Sequence, residues 1–250
     1  MLANGLSFTI ASARSYHSIK PILNGLPFKL PIIEFNGSFI TDFATGRHLV
    51  INHIEPEIIN RIFAILIKRK VEPFVSSFNG VDDKLYYKEI INDGMNWYVN
   101  DKTLSGDNRL TRVKRFPGAD EEQIVCINTI GRIDELEDIK AELGEHINNS
   151  TEIQLLENPY NKGWYWLTIH AERASKDIAI KQILDMYGFS EDELTVFGDN
   201  TNDIKMFKLA AQSIAVGNAC NELKAIADEI IDGNESDAVV KYLEKQFGLE

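Results

Sequence analysis

Cysteine is scarce in this chain, with only Cys126 and Cys220 among 250 residues, each in an unrelated apolar segment. That excludes a disulfide framework and a cysteine metal knuckle, and makes a reducing cytosol the expected compartment. Histidine is sparse too. His17, His48, His53, His146 and His170 form no pair at helical ligand spacing, which favours surface or core roles over metal ligation. No apolar run approaches the length of a membrane span and no signal-peptide pattern opens the chain, so no membrane partner is expected. Positive charge is in deficit. The 26 Lys and Arg face 38 Asp and Glu, a formal net charge of −12, which argues against a nucleic-acid partner. A small anionic substrate survives that exclusion, because a few local cations or a metal decide its binding.

What is present is ordinary globular material, 44% hydrophobic and 26% charged, long enough for one large or two smaller domains. Residues 1–4 before Gly5 read as the last turn of a helix and its stop. Residues 6–11 read as a strand, 15–24 as a helix ended by Gly25, and 31–35 as a second strand with a hairpin-like continuation to about 50. Alternating strand and helix implies a parallel sheet. From 51 the texture changes to closely spaced strand candidates (72–77, 84–90, 123–129, 153–157 and 164–170) with helices at 57–70, 93–104 and 133–147. Strands separated by short turns suggest an antiparallel α+β module. After His170 the alternation returns, through a helix over 175–187 and a strand over 194–197. The expected organisation is a core built from 1–50 and 172–250, with residues 51–171 inserted as a second module.

The chemistry gathers where strands end. The strand at 194–197 runs into Gly198-Asp199-Asn200-Thr201-Asn202-Asp203, a cluster of hard oxygen donors of the kind Mg²⁺ accepts alongside waters and phosphate. An Asn/Asp-rich turn capping the next helix explains the same residues. Ser12 follows the first apolar strand, where its hydroxyl and neighbouring N–H groups suit a phosphate, or where it simply caps a helix. Lys176 stands in the first turn of its helix, where a cation opposes the helix dipole unless an anion sits nearby; a solvated, outward-pointing lysine is the plain alternative. Arg14 suits a phosphate or a surface acid, and Asn36-Gly37 is a polar turn or a ligand contact.

In that order, Phe8-Thr-Ile-Ala-Ser12-Ala-Arg14, Phe35-Asn36-Gly37-Ser, Ala-Ser-Lys176, Gly198-Asp-Asn-Thr-Asn-Asp203 and Ala-Val216-Gly217-Asn218-Ala resemble motifs two, three and four of the haloacid dehalogenase superfamily, in its Cof-type phosphatase branch. The resemblance covers nearly the whole chain. It implies an α/β, Rossmann-like core with a parallel sheet, plus an inserted α+β cap domain with an antiparallel sheet that closes over the site and selects the substrate. It further implies Mg²⁺-dependent hydrolysis of phosphate monoesters, of sugars or other small metabolites, through an aspartyl-phosphate. Ser12 would hydrogen-bond the phosphoryl group and Lys176 neutralise it. Asp199 would be a direct or near-direct Mg²⁺ ligand, and Asp203, the second carboxylate of the metal site, would orient metal waters or Lys176. Asn202 would fix the phosphate or nucleophile side, with Arg14, Asn36 and Gly37 as lesser substrate contacts.

One departure is large. The family's first motif, Asp-x-Asp-Gly-Thr, which carries the nucleophile, does not occur in these residues; Asp82-Asp83 lies in the insert and Asp192 in a helix-to-strand loop. The resemblance puts its strand and crossover helix, roughly 30 or more residues, ahead of Met1, and implies a truncated phosphatase. In the family's sheet that strand separates residues 8–11 from 195–197, so these either pair directly or leave a gap, and weak folding is expected. An inactive chain is the corresponding expectation, with a non-catalytic phosphometabolite-binding or scaffolding protein of the same fold as the alternative. Ala13 also stands where the family commonly has glycine.

Overall fold

The computed structural model describes residues 2, 5–147 and 150–248. The helix-end reading of residues 1–4 falls outside them except at Leu2. The chain divides into two compact units, Met1–Leu49 with Ser175–Glu250, and Val50–Ala174.

The first unit opens differently from its sequence pattern. Residues 6–11 are not a regular strand. They meet Ile33 through one parallel bridge at Ala11, with Ile33 N–H donating to Ile10 O at 2.7 Å and Ser12 N–H to Ile33 O at 2.9 Å. None of the six is buried, so no core face fixes their alternation. Helix α1 (Tyr16–Leu23) comes next, and then a three-stranded sheet in the order β1 (Ile32–Glu34), β2 (Phe39–Thr41), β3 (His48–Ile51). Ile19, Ile32 and Phe43 form its small core.

The second unit is built on a six-stranded sheet. In chain order its elements are α2 (Pro56–Lys68), β4 (Pro73–Phe78), β5 (Asp83–Tyr87), α3 (Asp93–Leu104), β6 (Leu110–Arg112), β7 (Gln123–Gly131), α4 (Ile133–Ile147), β8 (Thr151–Glu157) and β9 (Tyr165–Ala171). The strand order is β6-β5-β4-β7-β9-β8, antiparallel except for the parallel β5–β6 pair. Apolar stripes of α2 (Ile59, Ile62, Leu66) and α4 (Leu136, Ile139, Leu143) pack with Val75, Ile124, Ile127, Leu167 and Ile169. Ile124 and Ile127 share that face although they are three apart. The β4–β7 register shifts between Ser76 and Ser77, and the extra residue in β7 resets the alternation. The other face pairs Phe74, Ile130 and Leu85 with Met95 and Val99 of α3.

The chain then returns to the first unit with α5 (Lys176–Tyr187), β10 (Thr195–Gly198), α6 (Ile204–Leu209), β11 (Gln212–Ala215), α7 (Asn221–Lys224), β12 (Glu229–Ile230) and α8 (Ala238–Gln246). Strands β10, β11 and β12 form a parallel sheet in that order. No ladder joins β10 to residues 6–11 among the described residues, so of the two expected outcomes direct pairing does not occur. The α/β core with a separate, largely antiparallel α+β module is the fold class implied by the sequence.

Candidate active site

Strand β10 ends at Gly198 because the next residues, 199–203, turn back on it. A Cβ at Gly198 would stand 2.8 Å from Asp203 Oδ2 and 2.7 Å from Phe207, so only glycine lets the loop fold this tightly. Asp203 Oδ2 accepts the N–H groups of Asp199 (2.9 Å) and Asn200 (3.1 Å). Asn200 Oδ1 accepts the Thr201 N–H at 2.7 Å, completing a capping box with Asp203. Asn200 and Asp203 thus cap the short turn at Thr201–Asp203, while helix α6 that follows has no side-chain cap hydrogen bond, so the expected capping of the next helix is not what these side chains do.

Asp203 does more than cap. Its Oδ1 accepts a hydrogen bond from Lys176 Nζ at 2.5 Å, and both side chains are buried. Lys176 is only 6% exposed, so the solvated, outward-pointing lysine is excluded. Among the described residues Asp203 is its sole hydrogen-bonded partner, which leaves two of the ammonium's three donors uncommitted. Asp199 is exposed. Desolvation first, and the neighbouring Asp203 charge second, push its carboxyl above the ordinary range, while Lys176 pulls it down.

Ser12 is not a helix cap. Helix α1 begins at Tyr16, and its first N–H donates to the Glu34 carboxylate. Ser12 Oγ instead accepts the Arg14 N–H at 3.1 Å, an exposed turn at the end of the 6–11 segment. The Ser12 carbonyl accepts the Asn36 N–H at 2.9 Å. Asn36 Oδ1 accepts from Asn202 Nδ2 at 3.0 Å, and Gly37 lies against the backbone of Ser175, the residue before Lys176. Ser12, Asn36, Gly37, Lys176, Asn202 and Asp203 thus form one contiguous network within the first unit, with Arg14 on its exposed rim.

Two placements refine the expected roles. Asn36 is 3% exposed, and its Oδ1 accepts from Asn202 Nδ2. Both Asp203 oxygens face protein donors, which leaves Asp199 as the carboxylate open to a cation. Among the described residues no group of three His, Cys, Asp or Glu side chains is gathered to hold a metal. The hard oxygens of the exposed Asp199 carboxylate still suit Mg²⁺, which needs only one or two protein carboxylates.

Sequence reasoning missed Glu34. Fully buried at the end of β1, it also accepts the Thr41 hydroxyl and lies 3.8 Å from His48 Nδ1. The signal for it was a lone carboxylate in the apolar run Pro31-Ile-Ile-Glu34-Phe35.

A parallel sheet places the exposed Asp199 at the end of β10, near the buried Lys176–Asp203 pair. The chain belongs to the haloacid dehalogenase-like hydrolases, whose family model matches residues 1–243. It is 24% identical over 249 residues to 5-amino-6-(5-phospho-D-ribitylamino)uracil phosphatase YitU of Bacillus subtilis, covering 96% of this chain and 84% of that one. It is 25% identical over 250 residues to pyridoxal phosphate phosphatase YbhA of Escherichia coli, covering 96% and 85%. Among solved structures, a haloacid dehalogenase-like hydrolase from Bacteroides thetaiotaomicron superposes with TM-score 0.77 at 19% identity, over 97% of this chain and 87% of the other. The subclass IIB sugar phosphatase BT4131 superposes with TM-score 0.74 at 21% identity, over 100% and 88%. By resemblance the chain is a phosphoric monoester hydrolase, and its relatives are phosphatases of small phosphorylated metabolites.

Proposed function

We propose that the first unit binds the phosphoryl group of a small phosphorylated metabolite, a sugar phosphate by class, for Mg²⁺-dependent hydrolysis. The carrying observation is Lys176, a buried ammonium with two unused donors, pinned by Asp203 beside the strand end that presents Asp199. Desolvation strengthens the attraction of such a cation for an anionic oxygen. Ser12 donates its hydroxyl to a second phosphoryl oxygen, Asn202 borders the same anion, and Arg14 reaches it from the rim. Mg²⁺ held at Asp199 supplies further charge neutralisation when bound. Asp203 holds Lys176 and the strand-end amides in place. The unpaired thiols of Cys126 and Cys220 accord with a cytosolic protein.

Hydrolysis through an aspartyl-phosphate needs the carboxylates of an Asp-x-Asp-Gly-Thr segment, which residues 1–250 do not contain. The 250-residue chain accordingly binds phosphate with Mg²⁺ and does not turn over p-nitrophenyl phosphate. Calorimetry with inorganic phosphate and Mg²⁺ tests binding, which Lys176→Met abolishes. Turnover appears when a segment bearing the motif is fused to the chain. Robust turnover by the 250 residues themselves, or no phosphate binding at all, overturns this proposal. Phosphate binding with no turnover from the fused protein identifies a non-catalytic phosphometabolite binder, a reading the absent motif favours.

A further inference from the structure

Between β1 and β2 the backbone enters the left-handed region three times in succession, at Phe35 (φ 45°), Asn36 (φ 56°) and Gly37 (φ 115°). Phenylalanine there is unfavourable, because its Cβ crowds the following carbonyl. Such strain persists only where surrounding contacts over-determine it, and it gathers at functional sites. The contacts are specific. Phe35 N–H donates to the Arg14 carbonyl at 3.2 Å and Asn36 N–H to the Ser12 carbonyl at 2.9 Å, tying down the loop that carries Ser12. Asn36 Oδ1 accepts from Asn202 Nδ2 at 3.0 Å, tying down the loop after β10. A Cβ on Gly37 would fall 2.7 Å from the Ser175 carbonyl oxygen and 2.9 Å from its nitrogen, so the turn is pressed against the start of the helix that carries Lys176.

We infer that the Phe35–Gly37 turn is the positioning element of the site, a rigid template that sets Ser12, Lys176 and Asn202 in mutual register. The inference rests on the proposed phosphate binding and deepens it. Asn36 and Gly37 are buried and act through their neighbours. Three segments far apart in sequence need a common reference to meet one tetrahedral anion, and this turn touches all three. Its left-handed backbone shapes that reference. At an extended φ, Asn36 would turn its N–H and its side chain to the same partners no longer. Misplacement of a charge by about 1 Å is enough to lose much of a site's binding or rate.

The test uses the full chain with three variants, Gly37→Ala, Asn36→Gly and Asn202→Ala, and the double variant of the last two. Asn36→Gly keeps a residue at ease with positive φ and removes only the carboxamide. Two readouts are taken: affinity for inorganic phosphate with Mg²⁺ as a function of pH, and the NMR signal of the Lys176 ammonium without phosphate. Gly37→Ala is expected to weaken phosphate binding roughly tenfold, shift the pH profile of binding and move the Lys176 signal. Asn36→Gly weakens binding roughly fivefold, and adding Asn202→Ala costs nothing further, as expected for a directly coupled pair. Wild-type affinity and an unmoved Lys176 signal in folded Gly37→Ala overturn the inference. So does a fall in melting temperature with both readouts unchanged. If Gly37→Ala does not fold, the Asn36–Asn202 cycle decides, and additive losses count against the inference. A wild-type chain that binds no phosphate refutes the proposed phosphate binding, while the Lys176 signal still judges the turn.

Discussion

At the scale of single residues, burial decides which charges act. Lys176 and Asp203 are both buried, and each is retained by the other, whereas Asp199 is left exposed with its carboxyl raised. His170 shows the opposite outcome. It is 1% exposed within the second unit's sheet, and its ring lies by the Val125 carbonyl, with Nδ1 3.2 Å from that oxygen. Desolvation lowers its pKa from 6.5 to about 4. The unfolded chain therefore takes up a proton that the folded chain refuses. Stability from this residue is complete above about 6.5, falls as the pH drops, and is gone below about 4. The difference amounts to about 3 kcal/mol at most. Urea titrations between pH 7 and 4 should show this loss, and His170→Gln should flatten it; a wild-type curve as flat as the variant's would refute the assignment.

At the scale of elements, the helices arise from their apolar periodicity. Helix α4 repeats Leu136, Ile139, Leu143 and Ile147 along one stripe, and all four are buried. Leu143→Ala removes a fully buried side chain from the largest cluster, and should cost about 2–5 kcal/mol. Urea unfolding followed by tryptophan fluorescence measures it in the right place, because Trp97, Trp164 and Trp166, the chain's three tryptophans, all lie in the second unit. A midpoint within error of wild type would mean that α4 does not close that core. The strands were read less well. The 6–11 segment has the composition of a strand, yet it makes a single bridge, because a ladder needs a partner along its whole length. Short β6 escaped notice: Leu110-Thr-Arg112 is too brief for a period, and its pairing with β5 comes from tertiary contact.

At the scale of the whole molecule, the two units carry separate cores, one around α2, α4 and the six-stranded sheet and another around Ile19, Ile32 and Phe43. Residues 50–174 expressed alone should therefore unfold cooperatively by tryptophan fluorescence, with a native-like near-ultraviolet spectrum. A non-cooperative melt, or a spectrum typical of a molten state, would show that this unit needs the rest of the chain.

The sequence by itself determined the α/β alternation at both ends, the antiparallel texture between them, and the family. Periodicity and local side-chain chemistry suffice for these, because they depend on neighbours a few residues away. Only the tertiary structure decided that Ser12 is no helix cap, that Lys176 is buried against Asp203, that Asn36 meets Asn202, and that Glu34 holds the start of α1. Each of these depends on groups 18 to 166 residues apart meeting within a few ångströms. No local pattern encodes such a meeting, since it is the packing of whole elements that brings the partners together.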